Sequence, residues 1–203
     1  MRSIRWRRRA NDGPASSEAE LNYHTFFEAY KARLERWNQT PRYRYELAQL
    51  IRRLKAGKRI LDYGCGTGCA VEHFRNEGFD VYGYDRFRYV DGSPDWYRTS
   101  FPFLFDQVYF MHSFAHIDQA EDVLYKLRPM MNDGGEIIII TPNRVYLDHI
   151  VHTPGYQPDT TVVHHYDIAE LVATVEAARW KVTERTYFGF EDPEERILIK
   201  ATL

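Results

Sequence analysis

A glycine-rich turn between a strand and a helix constrains the fold of this chain more than any other feature. Residues 58–64 (KRILDYG) have the pattern of a buried strand, and glycines at positions 64, 66 and 68 follow it closely. A helix is predicted from Thr67 to about Asn76, with Gly78 just past its end, and residues 79–85 (FDVYGYD) predict a second strand. This order of strand, turn, helix and strand predicts an α/β domain with a parallel sheet.

Strands and helices alternate along the rest of the chain. The pattern is helical over residues 18–54, where Pro41 opens a second helix, and helices are predicted after Asp118 with Glu121 and after Asp167 with Glu170. Residues 142–166 are predicted to form a loop. Further strands are predicted at residues 96–99, 105–111, 136–141, 181–188 and 196–203.

Together these elements predict one α/β domain without repeats. We expect a Rossmann-like, seven-stranded, mainly parallel sheet with helices on both faces, an antiparallel terminal hairpin and an N-terminal helical cap. The predicted divisions are a basic arm at residues 1–17, the helical cap at 18–56 and the core at 57–203.

Length and charge exclude several classes of protein. A chain of 203 residues suits one domain, and its net charge of -2 argues against nucleic acid or an acidic membrane as an obligatory partner. The segment RSIRWRRRA carries five arginines, which fits a disordered tail better than a phosphate-binding arm. No run approaches the roughly 20 apolar residues of a membrane span. The N-terminus also lacks the apolar stretch of a secretory signal. Cys65 and Cys69 are spaced poorly for a disulfide or a zinc site, so we expect free thiols. Free thiols fit a reducing compartment, and we therefore predict a cytoplasmic protein.

The glycine turn predicts a ligand site. In an open α/β sheet, ligands bind beyond the carboxyl ends of the strands where the strand order reverses, and this turn would form one wall of that crevice. Asp62 stands just before the turn, where a carboxylate could hold an ammonium group, and Asp85 ends the second strand, where an acid meets ribose hydroxyls. The pattern D-x-G-x-G-x-G differs from the dinucleotide pattern G-x-G-x-x-G, and no P-loop motif is present. The alternative is that the glycines only make a tight joint and Asp85 only caps a helix.

At these residues the sequence resembles the class I S-adenosylmethionine-dependent methyltransferases. LDYGCGTG resembles the first motif of that family and VYGYD the second. FDQVYFMHSFAHI is similar to the fourth-strand segment, and LRPMMNDGGEIIIITPN to the segment of the fifth strand. The resemblance covers residues 57–145 and extends through the last helix and hairpin. Residues 158–171 (PDTTVVHHYDIAEL) further resemble a subgroup that methylates small metabolites, including sugars and quinone precursors.

The resemblance implies S-adenosylmethionine as the cofactor and assigns residues to it. Asp62 would organise the turn and approach the methionine amine, and Asp85 would hold the ribose hydroxyls, with Arg86 beside the adenine. The other implied cofactor residues are Gly64, Cys65, Gly66 and Gly68 of the turn, with Phe110 and Met111 at the end of the fourth predicted strand. The acid or amide that family members usually place near the adenine amine is missing, because Asp95 stands about two positions from the expected place.

Histidines are the candidate bases for removing a proton from the acceptor, since their ordinary pKa near 6.5 suits neutral pH. His112 follows the fourth predicted strand and should face the crevice, and His164 and His165 lie at the same end of the sheet, while His116 is expected to be buried. No metal is predicted. Aromatic residues of the front helices, among them Tyr23, Phe26, Phe27, Tyr30 and Trp37, either pack the core or close over the site.

The predicted acceptor is a hydroxyl or amine of a small molecule. The segment MHSF replaces the Asn/Asp-Pro-Pro-aromatic motif of enzymes that methylate nucleobase or amide nitrogens, and we expect no separate domain that binds RNA or DNA. Three alternatives stay open: a non-catalytic methyltransferase-like scaffold subunit, an RNA or DNA methyltransferase and a nicotinamide oxidoreductase. The sequence does not predict the oligomeric state.

Overall fold

The computed structural model describes residues 17–86, 94–152 and 159–203, with side chains from residue 28 onward. The predicted basic arm therefore lies, apart from Ser17, outside the described residues. The helices are α1 (Ser17–Asn38), α2 (Pro41–Ile51), α3 (Cys69–Asn76), α4 (Ala120–Leu127), α5 (Arg144–Ile150) and α6 (Ile168–Ala177). The strands are β1 (Arg59–Tyr63), β2 (Asp80–Tyr84), β3 (Phe105–Met111), β4 (Met131–Pro142), β5 (Lys181–Phe188) and β6 (Arg196–Thr202), and two short 3₁₀ helices cover Phe114–His116 and Arg128–Met130.

The strands form one sheet in the order β2-β1-β3-β4-β6-β5. The first four strands are parallel, and β6 is antiparallel to both β4 and β5. The predicted fold class is confirmed: a mainly parallel sheet with helices on both faces and a terminal antiparallel hairpin. The strand order reverses between β1 and β3, which places the predicted crevice at the carboxyl ends of these two strands.

The sheet has six strands in the described residues rather than the predicted seven. The segment expected to form the additional strand, residues 96–99, makes only an isolated parallel bridge between Gly83 and Tyr97. Two backbone hydrogen bonds support it, from Gly83 N to Trp96 O and from Arg98 N to Gly83 O. Residues 96–99 therefore pair with only one residue of β2, Gly83, and do not extend the sheet by a strand.

Two hydrophobic layers cover the sheet because alternate residues of each strand face opposite sides. On one side Val108, Phe110, Ile137 and Ile139 pack against α4 and α6. On the other side Ile60, Tyr109, Ile138 and Ile140 pack against α2 and α3. Since both faces are buried, β4 is continuously apolar from residue 137 to 140, as predicted.

Local signals at helix starts were confirmed at α2, which begins at Pro41 as predicted, and at α6, and they were wrong at α3 and α4. Asp167 and Glu170 form the predicted capping box of α6. Asp118 does not cap α4, because the helix begins one residue later with Gln119 at the cap position and no side-chain cap bond. Helix α3 begins at Cys69 rather than Thr67, after Gly68 in a left-handed conformation. Part of the predicted loop 142–166 is helical, since the Asn143 side chain accepts from Val145 N and opens α5.

The longest helix, α1, has 22 residues and is rich in charged and polar side chains. Within the described ranges, no helix combines the length and the apolar character that crossing a membrane requires.

Candidate functional site

A small cleft lies at the carboxyl ends of β1 and β3, where the sheet order reverses. The glycine turn after β1 forms one wall, Met111 and His112 at the end of β3 form another, and Leu34, Trp37 and Asn38 of α1 cover it. The cleft encloses about 80 Å³, against the 300–1,000 Å³ typical of sites for drug-sized ligands. The enclosed space thus suits one end of a ligand of that size.

The glycine turn is held in a conformation that other residues rarely adopt. Gly64, Gly66 and Gly68 all have positive φ, at 85°, 53° and 82°. A Cβ on Gly64 would lie 2.3 Å from Cβ of Ser113, and one on Gly68 would lie 2.0 Å from Cη2 of Trp96. At these two positions, protein side chains occupy the space that glycine leaves, so packing within the chain already requires glycine there.

Asp62 is a buried acid at the wall of the cleft. Its carboxylate is 2% exposed, and Oδ2 accepts a hydrogen bond of 3.0 Å from the phenol of Tyr109. Oδ1 is buried and has no hydrogen-bond partner among the described residues. Burial raises the pKa of Asp62 to about 8, an effect that Tyr109 opposes and the charge of Asp85 reinforces. A buried carboxyl with an unused oxygen is suited to a cationic or hydrogen-bond-donating ligand.

Asp85 closes the turn on the side of β2. Its Oδ2 accepts a hydrogen bond of 2.9 Å from Gly66 N, and Tyr84 O accepts from both Gly64 N and Cys65 N. These bonds join the turn to the end of β2 and set Asp85 beside it. Arg86 is exposed and precedes residues that lie outside the described ranges.

The remaining predicted cofactor residues differ in whether their side chains reach the cleft. Cys65 lines the cleft but is buried, and burial raises the pKa of its thiol well above the ordinary value. Met111 lines the cleft as well, whereas the Phe110 side chain is fully buried in the layer against α4 and α6. Phe110 can therefore contribute only through its backbone.

His112 lies in the cleft wall and contacts Glu46, a residue that was not among the predicted site residues. Its Nε2 is 2.6 Å from Oε2 of Glu46 on α2. The Trp37 indole packs edge-on against the imidazole with ring centroids 6.0 Å apart. His112 also has φ of 60°, an uncommon value for a residue other than glycine, and its N–H donates to Ile140 O at 2.9 Å.

The other two predicted histidines are exposed and lie away from this cleft. His164 contacts the ring of Tyr166 at 4.3 Å between centroids, its Nε2 is 3.9 Å from Glu170 Oε2, and it lines a different cavity near the start of α4. Burial and the neighbouring His164 lower the pKa of His165. His116 is half-buried, and its Nδ1 lies 3.1 Å from Oγ1 of Thr161. The structure thus places one of the three candidate bases, His112, in the cleft.

Sequence reasoning missed Glu46, although a signal was present. Tyr43, Leu47 and Leu50 form the buried face of α2, and Glu46 lies on the same face, one residue before Leu47. A charged residue within an apolar helical stripe is costly unless it is paired, so it indicates a buried partner. Trp37 was recognised as an aromatic of the front helices, and its position over the cleft favours closure of the site. The side chains of Tyr23, Phe26 and Phe27 lie outside the described ones.

The geometry agrees with comparisons to known proteins. A family model for a methyltransferase domain matches residues 36–185. Among curated proteins, a ubiquinone biosynthesis O-methyltransferase of Pectobacterium carotovorum is 24% identical over 144 residues, covering 61% of this chain and 60% of that protein. The mitochondrial ubiquinone biosynthesis O-methyltransferase of Schizosaccharomyces pombe is 26% identical over 117 residues, covering 47% and 42%. The chain thus matches about 40–60% of the length of these relatives.

Solved structures share the fold at low identity. A 1,6-didemethyltoxoflavin-N1-methyltransferase of Burkholderia thailandensis, solved with S-adenosylhomocysteine, superposes with a TM-score of 0.66 at 16% identity, covering 94% of this chain and 92% of that one. A methyltransferase of Thermotoga maritima described as a possible histamine N-methyltransferase gives 0.64 at 17% identity, covering 87% and 97%. With the family model spanning most of the sequence, the chain belongs to the methyltransferase domain family, in the class I S-adenosylmethionine-dependent group that its motifs resemble.

Proposed function

We propose that this protein transfers a methyl group from S-adenosylmethionine to a hydroxyl or amine of a small molecule. One observation carries the proposal: a buried carboxyl, Asp62, has an unused oxygen at the wall of a cleft formed by the family's glycine turn. The ammonium of the methionine end would supply the missing partner. A charge-assisted bond of this kind is worth about 1.5–3 kcal/mol.

Different residues around the cleft suit different parts of the cofactor. We assign the methionine end to the enclosed cleft, with Asp62 at the amine and the backbone of Gly64, Cys65 and Gly66 along the methionyl and ribose groups. Because the enclosed volume is small, we assign the adenosine end to the surface beyond Asp85, with Asp85 at the ribose hydroxyls and Arg86 beside the adenine. Gly68 serves the turn itself, and Met111, with the backbone of Phe110, completes the far wall.

The cofactor, once bound, supplies a methyl group on a sulfonium leaving group. The chain must then align the acceptor, exclude water and, for a hydroxyl, take up a proton. Trp37 and Leu34 cover the cleft and would exclude water, and His112 stands in its wall. The proposed mechanism therefore needs few catalytic residues.

The lining of the cleft and the related proteins support a small acceptor that is not an anion. Leu34, Trp37, Tyr43 and Met111 give the cleft apolar and aromatic walls, and neither a lysine nor an arginine is among its described lining residues. The related proteins named above are O- and N-methyltransferases, several acting on small molecules by their names.

Transfer of labelled methyl from S-adenosylmethionine tests the proposal directly. The probe acceptors are catechol for hydroxyls and histamine for amines, each with wild type, Asp62→Asn and the control Asp106→Asn, whose carboxylate accepts from Arg59 N at the other end of the sheet. We expect transfer to one probe in wild type and in the control, and a loss of at least tenfold in Asp62→Asn. Equal activity in Asp62→Asn would contradict the role of Asp62, and absence of transfer together with absence of cofactor binding would leave the scaffold alternative.

A further inference from the structure

A buried network of charged side chains connects the cleft to the start of β6, at the same end of the sheet. One carboxylate oxygen of Glu46, which is 1% exposed, lies 2.6 Å from His112 Nε2, and the other accepts a hydrogen bond of 2.9 Å from Arg196 Nε. Glu46 comes from α2, His112 from the end of β3 and Arg196 from the start of β6. Three separate elements thus meet at one carboxylate.

The network continues beyond Arg196 to a second buried carboxylate. Arg196 lies 3.4 Å from the buried carboxylate of Glu195, and Arg42 lies 2.9 Å from the same oxygen. The two buried carboxylates of Glu46 and Glu195 thus face two arginines, Arg196 and Arg42, and Arg42 also pairs with the exposed Glu191 at 2.8 Å. Although burial alone would raise it, pairing with His112 and Arg196 lowers the pKa of Glu46 below its usual value. Glu46 is thus a carboxylate at neutral pH.

An ionised Glu46 fixes which nitrogen of a neutral His112 carries the proton. A carboxylate only accepts hydrogen bonds, so Nε2 must be the donor. In a neutral imidazole the other nitrogen, Nδ1, then has a free lone pair. Nδ1 makes no hydrogen bond to any residue that the structure describes, and His112 lines the cleft.

The backbone and packing of His112 also point to a function. A positive φ at a residue other than glycine costs free energy, and such strain concentrates at functional sites. The bond from His112 N to Ile140 O and the edge-on contact with Trp37 hold the imidazole in place. Glu46 is the side-chain hydrogen-bond partner of the imidazole among the described residues.

We infer that Glu46 is a positioning residue that holds His112 with Nε2 protonated, so that Nδ1 takes the proton of the methyl acceptor. This inference rests on the proposed methyl transfer. In the step, a lone pair of the acceptor oxygen or nitrogen forms a bond to the methyl carbon. The bond from that carbon to sulfur breaks, and its electron pair stays on sulfur. The acceptor proton passes to Nδ1, and Glu46 stabilises the resulting imidazolium.

The tautomer of His112 tests the inference without an acceptor. Two-bond ¹H–¹⁵N correlation spectra of the full chain report which nitrogen of each of the eight histidines is protonated, and His112→Gln assigns the signals of His112. We expect wild-type His112 to carry its proton on Nε2 at neutral pH. We expect Glu46→Gln to shift His112 toward a mixture of tautomers, because the amide can either donate or accept. A wild-type His112 protonated on Nδ1 would overturn the inference even if Glu46→Gln failed to fold.

Glu136→Gln is the matched control for Glu46→Gln. Glu136 is also a buried glutamate in an ion network, with Lys55 and Lys200, but it lies at the start of the apolar part of β4, at the opposite end of the parallel strands. This variant should leave the His112 tautomer unchanged. An unchanged tautomer in Glu46→Gln as well would remove Glu46 from the positioning role.

The kinetic test separates this inference from the proposed function. With catechol or histamine as acceptor, Glu46→Gln should lower kcat by about 10²-fold, while KM and Kd for S-adenosylmethionine stay within about twofold in the same titrations. An unchanged kcat would contradict the inference. If the protein binds S-adenosylmethionine but methylates neither probe, the tautomer decides the positioning role alone, and if it does not bind, the proposed function fails first.

Discussion

The phenol of Tyr109 donates a hydrogen bond of 3.0 Å to Oδ2 of Asp62, and it leaves Oδ1 of the same carboxyl without a partner among the described residues. Both side chains are buried, Asp62 on β1 and Tyr109 on the neighbouring β3. Tyr109 thus orients the carboxyl group of Asp62 and provides a hydrogen-bond partner for one of its two oxygens. We propose that the ammonium of the ligand supplies the missing partner of Oδ1.

Binding of S-adenosylmethionine should release a proton from Asp62. Burial raises the pKa of this carboxyl to about 8, so at pH 7 the free protein holds it mostly protonated. The ligand ammonium favours the carboxylate and lowers that pKa, so binding at pH 7 should release close to one proton. The release should fade as the pH rises above about 8, where Asp62 is already ionised.

Calorimetric titrations at pH 7 in phosphate and in Tris measure this release, because the two buffers differ in heat of protonation. We expect apparent binding enthalpies that differ between the buffers for wild type and agree for Asp62→Asn. Equal enthalpies in both buffers for wild type would contradict the protonation state assigned to Asp62.

Gly68→Ala should destabilise the protein more than Gly57→Ala. Both glycines have positive φ, 82° and 71°, so alanine at either costs about 1–2 kcal/mol of backbone strain. A Cβ at position 57 would have nothing within 4 Å, whereas one at 68 would overlap the Trp96 ring. We expect an additional loss of about 1–3 kcal/mol at position 68, measured as the free energy of unfolding in urea. Equal losses in the two variants would show that Trp96 moves aside freely.

Arg196→Met should be strongly destabilising at neutral pH. It leaves the buried carboxylate of Glu46 without its arginine and weakens the pairing of Glu195, and removing one partner of a buried ion pair costs about 3–5 kcal/mol. Arg53→Met is the control, because the Arg53–Glu184 pair is partly exposed and its loss should cost about 0–1 kcal/mol.

The cost of Arg196→Met should shrink in acid. The folded-state pKa of Glu46 lies below its unfolded value, so the stability from its ionised form is present above the ordinary glutamate range and is lost as the pH falls through the folded pKa. Urea unfolding at pH 7 and pH 3.5 checks the direction. A cost that grows in acid would contradict the ion network.

Much of the fold followed from local sequence patterns. The glycine turn, the continuously apolar β4 and the capping box of Asp167 with Glu170 are each encoded within a few neighbouring residues. The extra strand was wrong, since residues 96–99 make only the bridge between Gly83 and Tyr97, and the Trp96 ring packs against Gly68 and Gly83, a contact that no local pattern shows. The cap at Asp118 was wrong because the motif does not fix the helix start to one residue.

The candidate site was predictable only in part. Asp62, Asp85 and the turn are close in sequence or linked by adjacent strands, so motif spacing brought them together, and their cofactor roles stay predictions. The pairing of Glu46 with His112 and Arg196 joins residues 66 and 150 positions apart. No local pattern encodes such a contact, and only the charge of Glu46 on an apolar helix face indicated it.

Calorimetric titration of the purified full chain with S-adenosylmethionine and S-adenosylhomocysteine tests the central claim most directly. Asp85→Ala serves as the test variant, and Asp95→Ala as its control, because Asp95 is exposed and pairs with Arg75 away from the turn. We predict micromolar binding of both ligands by wild type and Asp95→Ala, and a loss of about tenfold or more in Asp85→Ala. Absence of binding at millimolar ligand, or equal affinity in Asp85→Ala, would contradict the account.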